Sequence, residues 1–157
     1  MGEVKNAMNK AVDTVAGMGG QMSAAMTDGA DGFVASAAIG DMYEIAAATL
    51  ALQRSRDDRV RAVAAQMIAD HTTSTHQMRA ALEMNETRGV SPPPQQPDSR
   101  RLAMLKHLEE TPDDGFDMTY LDQQVLAHEE TTTLMRSYAA GGDNPQLRSY
   151  ASGTLPV

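Results

Sequence analysis

Three side chains able to bind a metal ion or a proton, Glu44, His71 and His128, each sit within an otherwise apolar helical stripe. The first stripe reads Phe33, Ala37, Glu44, Ala48 and Leu52; the second reads Val60, Ala64, Met67, His71, Met78 and Leu82. The third reads Leu121, Gln124, His128, Thr131 and Met135. Residues at these spacings share one helix face, and the apolar members mark that face as buried. A buried carboxylate or imidazole needs a partner, so the three predict one shared polar site inside a helical protein. Two chemistries fit it. With Asp41, which shares a face with Glu44 at i, i+3, they form a mixed nitrogen–oxygen set suited to a divalent transition ion such as Fe, Mn or Zn. Without metal, Glu44 is expected to accept hydrogen bonds from one or both imidazoles and so fix helix register.

Asp117 lies three turns before His128 on the same stripe, and Tyr120 follows it. Both are candidates to stand behind the ligands and orient them. Asp70 points about 100° away from His71 and is expected to face a helix end or solvent. His76 and His107 read as surface residues. No catalytic residue is assigned: no serine sits in a strand-to-helix elbow, and Gly17-Met18-Gly19-Gly20 follows no strand.

The elements that position these groups are helices. Strand vocabulary is thin, and with 4% aromatic residues and no Trp the core must be built from Leu, Ile, Val, Met and Ala. The class is all-α. Helices are expected from about Asp31 to Arg54, from a Ser55 cap to about Thr87, and from Asp98 through Leu102, Leu105 and Leu108. A fourth starts at Thr111-Pro112-Asp113-Asp114 and runs to about Ala140, and Asn144-Pro145 caps a short last one. Ser91 to Pro97 cannot be helical. Arg54, Arg56, Arg59 and Arg61, interleaved with Asp57 and Asp58, read as a solvated junction.

Residues 1–30 read as a separate helical arm, and 31–157 as the bundle. In the arm Val4, Met8, Ala11, Val15, Met18 and Met22 follow a 4-3-4-3-4 spacing, the seam of a paired helix. Gly17, Gly19 and Gly20 are expected to weaken it. A seam left over once the bundle has closed predicts a homo-oligomer formed through the arm.

Charge excludes some partners. A formal net charge of -8 without a dense basic cluster argues against nucleic acid and against anionic lipid. No stretch reads as the roughly 20 apolar residues of a membrane span. The start lacks an apolar signal segment, so as written the chain is expected in the cytoplasm; removal of a signal would place it in the periplasm or cell envelope. The absence of cysteine rules out thiolate ligands and disulfides.

From Phe33 onward the chain resembles a bacterial ferritin-like family catalogued as domain of unknown function 4142. The resemblance rests on Phe33-Val34, Glu44-Ile45, Ala51-Leu52-Gln53, Ala65-Gln66-Met67 with Asp70-His71, and Gly89-Val90-Ser91-Pro92. It continues through Phe116-Asp117, Tyr120-Leu121, Gln124, Ala127-His128 and Leu155-Pro156, in order. It implies a ferritin-like antiparallel four-helix bundle, to which this chain adds the arm and a short C-terminal helix. The family pattern continues past the Leu-Pro step into a helix with a further His, which is not present here. Paired Glu-x-x-His motifs of a di-iron centre are also missing, since Ile68 and Val125 stand three residues before His71 and His128. The functional expectation is a small non-catalytic bundle acting through self-association, linked to stress or the envelope. The alternative is a metal-binding or redox protein using the inward Glu and His residues.

Overall fold

The computed structural model describes residues 2–26 and 29–155. Among them are six α-helices and no strand: α1 (Gly2–Ala25), α2 (Ala30–Arg54), α3 (Asp58–Leu82), α4 (Ser99–Glu110), α5 (Asp113–Gly141) and α6 (Pro145–Thr154). A single 3-10 turn, Asn85–Thr87, follows α3. Thr27-Asp28-Gly29-Ala30-Asp31-Gly32 reads as a loop signal, but α2 already begins at Ala30, and Thr27 and Asp28 lie outside the described residues.

The long pair α2 and α3, joined by three residues, is antiparallel, and α5 packs along α2. The core divides into two clusters. One joins Phe33, Met78, Met135, Tyr138, Leu147 and Tyr150, with Phe33 stacked on Tyr138 at 3.9 Å between ring centroids. The other joins Tyr43, Ala47, Ala48, Ala51 and Ala64 to Leu108, Phe116 and Tyr120. Along α2, Asp41 stands between the two clusters and Glu44 one residue into the second. This helix is long and apolar enough to span a membrane, which the sequence reading did not anticipate, but half of the qualifying stretch is buried inside the protein.

Several helix ends differ from expectation, each for a local reason. Asp57 caps α3 by accepting from the Arg59 amide, while Ser55 ends α2 and its hydroxyl accepts from the Asp57 amide. Helix α3 stops at Leu82 because the Thr87 hydroxyl turns back to donate to the Ala81 carbonyl, and Gly89 then takes φ +96°. Thr111 does not cap α5; its hydroxyl donates to the His107 carbonyl. Asp98 and Asn144 cap α4 and α6 as expected. The arginine-rich junction is only partly solvated. Arg54 donates to the Leu108, Glu109 and Thr111 carbonyls and pairs with Asp113, closing the C-terminus of α4.

The arm also corrects the reading. Helix α1 runs unbroken through all three inner glycines and lies along α5. Its inward face is Asp13, Gly17, Gly20 and Ala24, and the seam of Val4, Met8, Ala11, Val15, Met18 and Met22 is exposed. The glycines are what let it dock. A Cβ at Gly17 would sit 3.1 Å from Leu126, and one at Gly20 would overlap the Glu130 carboxylate. That carboxylate is fixed by Arg100 at 2.6 and 2.8 Å and by Arg101 at 3.1 Å, so it cannot easily yield. Close approach offsets the helix propensity that glycine loses.

The three glycines therefore separate by role. Gly20→Val should destabilise the protein by about 1–3 kcal/mol through overpacking. Gly19→Ala, whose added carbon meets nothing within 4 Å, should stabilise it by up to ~1 kcal/mol. Urea denaturation of both variants checks the opposite signs.

Candidate functional site

Glu44 on α2, His71 on α3 and His128 on α5 converge, each offering one ligand-type atom within 4.8 Å of the others. The His71 and His128 rings are 5.8 Å apart, edge to face. Glu44 is 1% exposed and His71 is buried, whereas the His128 side chain is 44% exposed. The site thus has a closed floor and one open side. At that side lies a cavity of about 80 Å³, walled in part by Asp41, His71, Ser74, His128, Thr131 and Leu155.

The hydrogen bonds assign the imidazole tautomers. His71 Nδ1 lies 2.8 Å from Asp41 Oδ1, and Thr75 donates to the other Asp41 oxygen at 3.0 Å. His128 Nδ1 lies 2.9 Å from the Gln124 carbonyl, which can only accept. Each Nδ1 is therefore an N–H, and in the neutral rings each Nε2 keeps its lone pair. A carboxylate behind an imidazole fixes its orientation and raises its basicity as a ligand. Asp41 occupies that position and does not join the three converging groups.

Glu44 carries the unresolved charge. His128 Nδ1 stands 3.5 Å from its Oε1, and the Gln124 side chain comes near enough to help hold the charge, but neither carboxylate oxygen has a well-formed hydrogen bond among the described residues. The expected network, in which Glu44 accepts from the imidazoles, is not what forms: both Nδ1–H groups are directed to other acceptors. Burial raises the Glu44 pKa above the ordinary carboxylate value, and the charges of His71 and His128 only partly offset it. Burial works against a charged His71, but the Asp41 hydrogen bond and the Glu44 and Asp41 charges outweigh it and raise that pKa. The Glu44 carboxylate would be eased by positive charge beside it.

Other predicted residues fall in different places. Tyr120 is fully buried; its hydroxyl lies unpartnered inside, where burial and the Glu44 charge push its pKa up. Asp117 is half-buried with an unpartnered Oδ1 and stands outside the three-ligand group. Asp70 accepts from Gln66 and borders the cavity. His76 is exposed, and so is Leu121, the first member of the third stripe.

His107 is the clear correction. It is buried, with Nδ1 2.5 Å from Asp13 Oδ2 and Nε2 3.0 Å from Asn6 Oδ1. Gln123 donates to Asp13 at 2.8 Å and to the Met104 carbonyl at 3.0 Å, and accepts from Tyr43 at 2.9 Å. This cluster lies beside another cavity, of about 380 Å³, between α1 and α5. Its principal polar groups already bind one another, so the smaller cavity, walled by His71 and His128, is the better candidate site. Arg101 also escaped the reading: it is 1% exposed, pairs with Glu130 and lies 4.7 Å over the Tyr43 ring. The one available signal was that Arg101, not Leu102, continues the inward face of Met104 and Leu108; Leu102 is 50% exposed.

A buried carboxylate without a hydrogen bond costs stability in metal-free protein. Glu44→Leu should therefore raise the stability of chelator-treated protein by about 1–3 kcal/mol. Loss of stability in urea denaturation would show the carboxylate to be satisfied.

No curated protein and no solved structure matches the chain. The sequence profile described as Domain of unknown function (DUF4142) matches residues 16–157, beginning within α1 and covering the whole three-helix site. The chain belongs to the DUF4142 family.

Proposed function

We propose that the protein binds a divalent transition ion through Glu44, His71 and His128 in a helical bundle of ferritin-like arrangement. The observation that carries this reading is Glu44: a fully buried carboxylate, both oxygens without a well-formed hydrogen bond, within 4.8 Å of ligand-type atoms on two histidines. Hydrogen bonding alone leaves that charge unsatisfied, whereas a cation would compensate it. Two imidazoles and one carboxylate suit Zn and Fe, and Mn with less nitrogen preference. Three protein ligands with an adjoining cavity leave room for water or a small ligand, and a bound ion would supply Lewis acidity there. The ferritin-like arrangement is supported by the antiparallel α2–α3 pair, by α5 alongside, and by ligands that project inward from different helices.

A second reading, self-association, is favoured by a separate observation: the apolar seam of α1 faces outward although the helix is docked. The two readings use different surfaces and are compatible.

Zn²⁺ or Co²⁺ added to chelator-treated protein should raise the melting temperature, with a gain of about 2.7 kcal/mol when free metal is a hundred times Kd. His71→Ala and His128→Ala should each abolish that gain. Asp41→Asn should leave the ligands in place but lower affinity about 10–100-fold by weakening the hold on His71. Stoichiometric metal in the triple alanine variant of Glu44, His71 and His128 would overturn the assignment.

A further inference from the structure

Seven large apolar side chains stand in one outward row along α1 and the turn that ends it. They are Val4, Met8, Val12, Val15, Met18, Met22 and Met26, exposed by 60 to 81%. Val12, absent from the seam read in the sequence, completes a pattern. The spacings run 4, 4, 3, 3, 4, 4, the same in both directions from Val15. A second copy reversed about Val15 sets Val4 opposite Met26, Met8 opposite Met22, Val12 opposite Met18, and Val15 opposite itself. An isologous twofold contact requires this self-complementarity.

We infer that α1 pairs with α1 of a second copy, antiparallel about a twofold axis at Val15. This rests on the self-association reading above. Two features select the occupant. At roughly 100 Å² per side chain the row offers about 700 Å² per copy, close to the ~800 Å² per partner of a stable interface. Charge selects the direction. The charged residues of α1, Glu3, Lys5, Lys10 and Asp13, all fall in its first half, and none occurs from Thr14 to Met26. Antiparallel pairing lays each charged half over an uncharged one, whereas parallel pairing would bring Lys5 and Lys10 near their copies. A lipid surface fits less well. Helices that lie on membranes carry a cationic polar face, but the opposite face of α1 is small residues and Asp13 packed on α5, in a chain of net charge -8.

The chain has no cysteine, so single cysteines report the geometry directly. The intact protein should sediment as a dimer. With a short bis-maleimide, Val15→Cys should cross-link to itself. Val4→Cys and Met26→Cys should cross-link to each other when mixed, and neither to itself. Met18→Glu, on an exposed site, should keep its helical circular dichroism and weaken association at least about a hundredfold. A monomer at the highest soluble concentration, or a monomer that binds anionic vesicles, overturns both this pairing and the self-association reading. A dimer in which Val15→Cys fails to cross-link, Val4→Cys cross-links to itself, or Met18→Glu associates normally overturns the pairing while self-association stands.

Discussion

Close approach of helix backbones is the constraint on which this structure depends. With few aromatic residues, the inner faces are lined by Ala37, Gly40, Ala47, Ala48 and Ala51 on α2, Ala64 on α3 and Ala127 on α5. Small side chains bring helix axes together, and only then can a glutamate from one helix reach imidazoles from two others. The same device docks α1, where Gly17 and Gly20 admit Leu126 and Glu130. Larger aliphatics at these positions would provide more apolar burial but hold the helices too far apart for the polar groups to meet.

The interior holds two Asp–His pairs with different outcomes. At Asp13–His107, a glutamine, an asparagine and a tyrosine complete the set, and the buried polar atoms answer one another. This cluster ties α1 to α4 and α5 and reads as a fastening. At Asp41–His71 the pair is equally well made, but Glu44 and a partly open His128 are added without a well-placed donor for the extra carboxylate. The first arrangement is closed in the hydrogen-bonding sense. The second leaves its carboxylate short of donors.

The all-α class, the order of helices and the convergence of Glu44, His71 and His128 were legible because each is written in spacing along a single helix. What failed depends on which face of a helix meets a neighbour. In α1 the apolar seam was legible and stays exposed; what went unread is that the opposite stripe, Asp13, Gly17, Gly20 and Ala24, docks on α5. His107 was read as a surface residue from its neighbour Lys106, although an adjacent residue lies on another face of the helix. The role of Asp41 as a support rather than a ligand could not be read, since i, i+3 spacing states a shared face and not which carboxylate meets which ring.

Glu44, His71 and His128 belong to helices far apart along the chain, with the α2–α3 turn inside one interval and the proline-rich connection and all of α4 inside the other. Anything that bridges the three is therefore a topological staple. It would close two successive stretches of an unfolded chain and remove loop entropy much as a disulfide does. A protein without a single cysteine would gain by this route a cross-link that can be made and released without redox chemistry.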